Sequence, residues 1–402
     1  YIRAEDHGTH VAGIVAATNN NATGACGIAG GNGVQTGVRM MICQIMDEYN
    51  SVGDAAGGIK YAADNGAVIC QNSWSYVESN NLPQSTKEAI DYFITYAGYD
   101  ENGNQTGPMA GGLVVFAAGN DNTSISYPAM YEKVFSVAAI APDYKKAYYS
   151  NYGDWVSISA PGGDANYSSG QIYSTLKNGQ YGFRQGTSMA CPQVSGVAAL
   201  VVSYAGGPGF TNEELKRILK QNASPVIFSY YPQYAGIMGS GVVDAFASIA
   251  SLSTIPPDAV ADIDAVAYSN NMTLTWLVPR DEDDVKAYRY EVLISSIAGD
   301  SLQVSHVRTG NNEAGEIVSH QISGLDFNTS YIFTITACDF AGNRADASEP
   351  ITAQTEANNP PLIEPLDGTQ LVLKAHQEKT LSFRISDPDG HTLTAAVEPA
   401  SP

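Results

Sequence analysis

Residues 112–119, GLVVFAAG, are a short run in which almost every side chain is apolar. A strand with one face in water alternates apolar and polar residues, whereas a parallel strand covered by helices on both faces is apolar throughout. The run therefore predicts an inner strand of a parallel sheet. Runs of the same kind occur nearby: VRMMICQIM (38–46), AVICQNSW (67–74) and VFSVAAI (134–140).

Helical patterns separate these runs, in DAAGGIKYAADNG (54–66) and QSTKEAIDYFITYAG (84–98). In the second segment, Ser85 followed three residues later by Glu88 predicts a capped N-terminus, and Gly98 predicts the end of the helix. Strands that alternate with helices indicate an α/β domain with a parallel sheet, which we assign to residues 1–252.

The pattern changes at STIPPD (253–258), a proline-marked linker, after which the segments alternate with period two. An all-β sandwich is predicted over residues 259–356, and a partial β-module over 357–402. The predicted strands are MTLTWLV (272–278), YRYEVLIS (288–295), SHQISGL (319–325), SYIFTITACD (330–339) and, in the partial module, strands within KTLSFRISDPDGHTLTAAV (379–397).

Composition excludes several classes of function. The formal net charge is −21, and residues 253–402 alone carry 22 acidic against 8 basic residues. Such a surface repels phosphate backbones and anionic lipid, so nucleic-acid binding is not expected. No uninterrupted run of about 18 apolar residues occurs, so no membrane-spanning segment is predicted.

The cysteines do not form a recognisable metal or disulfide pattern. None belongs to a C-x-x-C pair or has histidines at zinc spacing, so we predict isolated thiols and no metal site among them. The turn SDPDG (386–390) matches a calcium loop weakly, although acidic turns with Asp-Gly are usually only turns. The cysteines are Cys26, Cys43, Cys70, Cys191 and Cys338.

Two segments carry chemistry. In GFRQGTSMACPQVSGVAALVVSY (182–204) the residues after Val194 are apolar on almost every side, which predicts a buried helix with Ser188 at its N-terminus. A backbone N–H at that position can hold a developing oxyanion. A serine hydroxyl needs a base within hydrogen-bond reach, and His7 in EDHGTHVAGIVAAT (5–18) is the candidate.

These segments resemble the histidine and serine signatures of the subtilisin-like serine proteases (subtilases, peptidase family S8). Further segments resemble the family's blocks in the family's order, so that the resemblance covers residues 1–252. The matching segments are HGTHVAG (7–13), NSWS (72–75), VVFAAGN (114–120), YPAMYEKVFSVAAI (127–140), GTSMACP (186–192) and GSGVVDAFASI (239–249).

The resemblance implies a role for each matching residue. Ser188 is implied as the nucleophile, His7 as the general base, and Asn120 as the side-chain donor of the oxyanion hole. The implied substrate-binding residues are Ser73, Trp74, Ser75, Ala118 and Gly119. Over 259–356, Trp276, Leu325, Tyr331 and the ending ACDFAGNRA resemble a fibronectin type III domain, and 357–402 resembles a partial Ig-like or cadherin-like module.

The family's third catalytic residue has no match here. The resemblance implies an Asp at the end of a sheet strand some tens of residues before His7, and only six residues precede His7. Asp6 is adjacent to His7 and points elsewhere on a helix, and Asp47 closes a predicted strand without a catalytic role. We therefore expect residues 1–252 to lack the Asp-bearing strand and the 402-residue chain alone to be nearly inactive.

The resulting hypothesis is a secreted or cell-surface serine endopeptidase of bacterial type. It hydrolyses polypeptides through an acyl-enzyme and requires no cofactor for catalysis; a structural calcium ion is compatible with the sequence but is assigned to no residue. The alternative is an inactive pseudoprotease scaffold that presents the β-modules for binding to a surface or substrate. A lipase-type nucleophile elbow fits less well, because Ala190 stands where its second glycine belongs and His7 precedes Ser188.

Overall fold

The computed structural model describes residues 6–45, 53–76, 81–297, 300–367, 376–390 and 392–396. The chain divides into two compact units, Tyr1–Leu252 and Ser253–Pro402.

The first unit contains a four-stranded parallel sheet with the strand order β1-β2-β3-β4. Its helices are α1 (Asp6–Ala16), α2 (Ala55–Asp64), α3 (Gln84–Tyr96), α4 (Thr187–Ala205), α5 (Asn212–Gln221), α6 (Val226–Tyr230) and α7 (Ala245–Ala250). Its strands are β1 (Ile69–Asn72), β2 (Leu113–Ala117), β3 (Phe135–Ile140), β4 (Ile158–Pro161) and the antiparallel hairpin β5 (Ile172–Thr175) and β6 (Tyr181–Arg184).

Strand β2 shows why its run is apolar throughout. Leu113, Val115 and Ala117 belong to the core that α4 shares with the sheet. The alternate residues Val114 and Phe116 belong to the core formed with α2 and α3 on the opposite face. Because successive side chains of a strand point to opposite faces, both sets must be apolar when helices cover both faces. The predicted α/β layering is therefore present, with α4 on one face and α2 and α3 on the other.

The predicted strand at 38–46 is not formed over its described part, residues 38–45, and residue 46 lies outside the described residues. Strand β1 is the edge of the sheet, and within the described ranges no segment pairs with its outer side. Met40, Met41 and Ile42 are exposed. An apolar run becomes a strand only when a neighbouring strand takes its backbone hydrogen bonds along its length. Val38 N–H donates to the Ala29 carbonyl and the Ile45 carbonyl accepts from Gly53 N–H, but no described strand pairs with residues 38–45.

The N-cap predicted at Ser85 is also wrong. Helix α3 begins at Gln84, its N-cap is Pro83, and no side chain caps it. Ser85 lies within the first turn, because Pro83 already fixes the extended backbone that precedes the helix. The predicted end is correct: Gly98 has φ +82°, and the helix stops before it.

One helix, α4, is long and apolar enough to cross a membrane by length and composition, within the part of the chain that the structure describes. Its 18-residue window is 67% buried in the domain. Burial of most of the helix within the domain accounts for its apolar composition.

The second unit has many strands after residue 260. Two antiparallel sheets, ordered β12-β11-β14-β15 and β13-β8-β7, contribute side chains to one hydrophobic core. The strands are β7 (Asp264–Tyr268), β8 (Asn271–Leu277), β9 (Arg280–Asp281), β10 (Val285–Lys286), β11 (Arg289–Ser296), β12 (Ser301–Arg308), β13 (Ile317–Ile322), β14 (Ser330–Cys338), β15 (Ile351–Gln354), β16 (Leu362–Pro365) and β17 (Phe383–Ser386).

Trp276 in β8 is buried in that core and meets the ring of Tyr290 in β11 edge-on, with centroids 5.0 Å apart. Beyond the two sheets, β16 and β17 pair as a separate antiparallel ladder whose side chains are exposed. SDPDG forms a turn in which Asp389 accepts hydrogen bonds from the backbone N–H and side-chain amide of Asn359.

Candidate active site

Helix α1 places His7 beside the first turn of α4. His7, Val11 and Ile14 are spaced i, i+4 and i+7, so they share one face of the helix. Val11 and Ile14 pack on Met189, the residue after Ser188. This apolar contact with Met189 therefore fixes the position of α1, and with it the position of the His7 imidazole. A cleft of about 340 Å³ results, lined by His7, Asn120, Gln171, Phe183, Arg184, Gln185, Ser188 and Met189.

The structure thus brings the predicted base, oxyanion donor and nucleophile to one cleft. His7 and Asn120 are exposed, and Ser188 is half-buried. Sequence reasoning missed the other side of the cleft, which the hairpin β5–β6 supplies through Phe183 and Arg184. Its signal was present: IYST and YGFR flank Asn178-Gly179, a dipeptide typical of hairpin turns.

His10 holds this hairpin against α1. It is fully buried, and its Nε2 lies 3.1 Å from the carbonyl oxygen of Ile172 and 3.2 Å from that of Gly182. Both partners are acceptors, so Nε2 carries the proton. The hydroxyl of Ser174 donates back to the carbonyl of His10 at 2.8 Å. His10 is therefore a buried, hydrogen-bonded histidine that holds the β5–β6 hairpin against α1.

The first turn of α4 leaves the Ser188 amide available. Thr187 N–H donates to Asn120 Oδ1 at 2.8 Å, and Met189 N–H donates to Gly186 at 2.9 Å. Within the described ranges the Ser188 N–H donates to no protein group. A helix begins with backbone donors that lack intrahelical partners, and here one of them borders the cleft.

Asn120 supplies a second donor at the same place. Asn120 Oδ1 accepts hydrogen bonds from both the N–H and the hydroxyl of Thr187. The other end of the amide, Nδ2, is therefore the end that can donate a hydrogen bond to a substrate. A Cβ added at Gly186 would lie 3.6 Å from the Ser188 nitrogen and 3.7 Å from Asn120 Nδ2. Both donors thus border one small space, as required of a site that stabilises an oxyanion.

Pro192 connects Ser188 to Ser73. In α4 the carbonyl of Ser188 would normally accept from the N–H four residues later, but residue 192 is proline and has none. The hydroxyl of Ser73 donates to this carbonyl instead, at 2.9 Å. The Ser188 hydroxyl in turn lies 3.5 Å from the carbonyl oxygen of Ser73. The segment after β1 is therefore fixed directly beside Ser188.

The remaining predicted substrate residues differ in exposure. Trp74 is buried, its ring nitrogen donates to Asn72, and its ring packs edge-on against Phe116. Ala118 and Gly119 use their N–H and carbonyl groups in hydrogen bonds within the protein. Ser75, which follows Trp74 in the segment after β1, is half-buried.

The surroundings of His7 favour its neutral form. Desolvation in the cleft lowers the pKa of His7 below its usual value, and the nearby Arg184 and His10 side chains lower it further. The ring is open to solvent on one side, yet enough protein surrounds it to disfavour the imidazolium. A neutral imidazole is the form that can accept a proton from a serine hydroxyl.

Among the described residues, neither ring nitrogen of His7 makes a hydrogen bond. The carboxylate of Asp6 accepts from Lys177 N–H at 3.1 Å and lies 3.6 Å from Arg184 Nη2. It is engaged by the hairpin side of the cleft, which agrees with its exclusion as the orienting residue. Asp47 lies outside the described residues.

Cys191 is not a competing nucleophile. Burial raises the pKa of its thiol to about 12, and its sulfur accepts from Gln71 Nε2 at 3.3 Å. The thiolate is the reactive form, so this cysteine is inert at neutral pH. All five cysteines are free: Cys191 and Cys338 are buried, Cys43 and Cys70 are half-buried, and Cys26 is exposed.

Comparison with known proteins agrees with this geometry. Residues 2–252 match the Subtilase family of S8 peptidases. The chain is 35% identical over 224 residues to a thermophilic serine proteinase of Bacillus sp. (strain AK1), covering 55% of this chain and 47% of that protein. It is 36% identical over 198 residues to thermitase of Thermoactinomyces vulgaris, covering 49% and 61%.

A third relative is the extracellular basic protease of Dichelobacter nodosus, 35% identical over 257 residues, with coverage of 60% of this chain and 38% of the relative. The chain thus spans between 38% and 61% of the length of these relatives.

Proposed function

The chain belongs to the subtilase family, and we propose that the protein containing it is a serine endopeptidase with Ser188 as its nucleophile. The observation that carries the proposal is the single cleft lined by His7, Asn120 and Ser188, with two hydrogen-bond donors bordering the space at Gly186. The proteases among its relatives support the same reaction class.

In the proposed reaction, His7 accepts the proton of Ser188 Oγ as that oxygen attacks a peptide carbonyl. The carbonyl oxygen becomes an oxyanion, which the Ser188 N–H and Asn120 Nδ2 stabilise. His7 then gives its proton to the departing amine, which leaves an acyl-enzyme on Ser188. Water, activated by the same histidine, releases the acid and restores the serine.

A carboxylate that orients His7 remains part of the proposal and is assigned to no described residue. Accepting the serine proton turns His7 into an imidazolium. A carboxylate beside it would stabilise the imidazolium formed during attack.

The proposed substrate is an extended polypeptide. The backbone of Ser73–Ser75 is suited to pair with it as an added strand, since Ser73 is fixed beside Ser188 and Trp74 anchors the segment in the core. Ala118 and Gly119 are proposed as the apolar floor, because their backbone polar groups are already satisfied.

We propose secretion and a fibronectin type III-like fold for residues 259–356. The extracellular protease of Dichelobacter nodosus supports the first point. Two antiparallel sheets around the buried Trp276 support the second. The proposed role of this unit is to act as a spacer or as an arm that binds a surface or substrate.

A labelling experiment tests the nucleophile. A fluorophosphonate reagent should modify the active protein at Ser188, located by peptide mass spectrometry, and Ser188→Ala should abolish both labelling and peptide hydrolysis. Ser203→Ala is the matched control, because Ser203 is exposed on the same helix away from the cleft. Full hydrolysis by the Ser188→Ala protein would refute the assignment.

The base is tested by combining substitutions. His7→Ala and Ser188→Ala should each remove most activity, and the double variant should lose little more, because the two groups act as one unit. Intact folding with substrate binding but without labelling or hydrolysis would favour the non-catalytic scaffold.

A further inference from the structure

A second group of chemically active side chains lies in residues 253–402. Asp281 ends β9, and Asp283 and Asp284 follow in the turn before β10. One carboxylate oxygen from each of these three residues lies within 4.8 Å of the others. Like charges at this spacing repel each other unless a proton or a cation separates them.

The carboxylate of Asp281 is buried, unlike an ordinary charge on the protein surface. It is only 6% exposed. Its Oδ1 accepts from the backbone N–H groups of Asp283 and Asp284, at 3.3 and 3.1 Å. Its Oδ2 is buried and receives no hydrogen bond from an N–H or O–H group of the described residues. A buried carboxylate oxygen without a donor is costly, and a cation held by this carboxylate would remove that cost.

A fourth carboxylate adds to the negative charge. Ser253 Oγ lies 2.8 Å from Asp284 Oδ2 and 3.0 Å from Asp339 Oδ2. A hydroxyl carries one proton, so it satisfies only one of these two oxygens at a time. Asp339 is fully buried, and its other donors come from Gly342 and Asn343.

We propose that Asp281, Asp283 and Asp284 bind a Ca²⁺ ion. All three donors are carboxylate oxygens, which suit a hard cation and offer no nitrogen or sulfur to zinc or copper. Ca²⁺ tolerates the irregular geometry of three aspartates from one tight turn, whereas Mg²⁺ demands near-octahedral ligands and retains its waters. The sequence signal is the run DEDD at 281–284.

The ion has a structural consequence for the start of this unit. Asp283 Oδ2 accepts from the N–H groups of Thr254 and Ile255, at 2.7 and 3.0 Å. Ser253 contacts Asp284 through its hydroxyl. A cation that fixes these carboxylates therefore also fixes residues 253–255, the segment that follows Leu252.

The rival explanation is a proton shared between Asp281 and Asp283. Both explanations relieve the repulsion, but only the cation adds a bound metal. The two are separated by counting ions and by the response of stability to calcium.

The first test counts bound calcium. The full chain is prepared with Ser188→Ala to prevent self-digestion, stripped with a chelator, and dialysed against about 1 mM CaCl2, a concentration suited to extracellular modules. Asp281→Asn should bind one Ca²⁺ fewer per chain than the parent, and Asp284→Asn should show the same loss. Asp346→Asn, an exposed aspartate of the same unit, should bind as many ions as the parent. Equal calcium content in the parent, Asp281→Asn and Asp284→Asn proteins would overturn the proposal in favour of the shared proton.

The second test uses the sign of the stability change. In chelator, Asp281→Asn should unfold at a temperature equal to or above that of the parent, because it removes a buried charge. In calcium the parent should gain stability and the variant should not. Protease cleavage within 253–258 should slow on calcium addition only in the parent and in Asp346→Asn. A calcium response that persists in both Asp281→Asn and Asp284→Asn would also exclude the site.

Discussion

Replacing Ser73 by alanine tests the hydrogen bond from the Ser73 hydroxyl to the Ser188 carbonyl. Ser73 Oγ is the donor to that carbonyl, at 2.9 Å, because Pro192 has no N–H to offer. In Ser73→Ala the carbonyl loses its donor beside a half-buried residue. Leaving a buried acceptor without a partner costs about 1–3 kcal/mol, and we expect the free energy of unfolding to fall by that amount.

A second substitution makes the cause specific. In a Pro192→Ala background, the N–H of residue 192 can donate to the Ser188 carbonyl in the ordinary helical manner. Ser73→Ala should then cost about 1 kcal/mol less than it does beside proline, since the carbonyl keeps a donor. The difference between the two costs is the coupling energy of a double-mutant cycle.

The assay is urea unfolding followed by tryptophan fluorescence. The chain has three tryptophans, and a Trp276→Phe background leaves Trp74 and Trp155, both within residues 1–252. Ser75→Ala is the matched control, two residues away, and should change stability by less than about 0.5 kcal/mol. Equal costs of Ser73→Ala in the proline and alanine backgrounds would show that Ser73 does not replace the missing helical donor.

Four other substitutions test the site and the second unit. Asn120→Ala should lower kcat of the active protein about 10²–10³-fold with little change in KM. An unchanged kcat would show that Asn120 does not stabilise the oxyanion. Gly186→Ala should also lower kcat, because the added methyl would lie 3.6 Å from the Ser188 nitrogen at a residue with φ +147°. Arg184 lowers the pKa of His7, so Arg184→Gln should raise that pKa and move the acidic limb of the kcat/KM profile to higher pH; an unmoved limb, measured with an uncharged peptide, would contradict this. Trp276→Ala should destabilise the second unit by about 3–5 kcal/mol in thermal unfolding, and a loss below 1 kcal/mol would contradict its place in the core.

The inner strands could be predicted from the sequence because their burial is visible locally. Residues 113–117 are apolar on both faces, and the structure covers both faces with helices. The same reasoning was wrong for residues 38–45, which are also mostly apolar. The pattern of a strand reports what its side chains need, but not whether another strand is present to take its backbone hydrogen bonds.

In the second unit, likewise, the strands with fewer apolar residues could not be predicted from their own sequence. Strands β8, β11 and β14 alternate strongly and were predicted within one or two residues. Strands β7 and β12 were missed. In β7 the inward side chains are mainly alanine and only half-buried, so period-two alternation is weak there. A strand that completes a sheet by pairing alone leaves little trace in its own composition.

The candidate site, too, could be predicted from the sequence only in part. Ser188 and His7 stand in segments that resemble the histidine and serine signatures of the subtilases, and that resemblance implied their roles. The link from Ser73 to Ser188 could not be read from the sequence, because it depends on a proline at one position and a hydroxyl 115 residues away. Pro192 alone signals only that one carbonyl of the helix needs another donor.

The N–H that Pro192 lacks explains why a displacement of the segment Ser73–Ser75 should also displace Ser188. The Ser188 carbonyl and hydroxyl both face Ser73, at 2.9 and 3.5 Å, so a shift of the segment after β1 moves the reacting oxygen as well. A helix with an alanine at 192 would satisfy the Ser188 carbonyl with its own N–H and would not need the Ser73 hydroxyl as a donor. The proline therefore makes the position of the proposed nucleophile depend on the strand proposed to bind the peptide, and the coupling energy of the Ser73 and Pro192 substitutions measures that dependence.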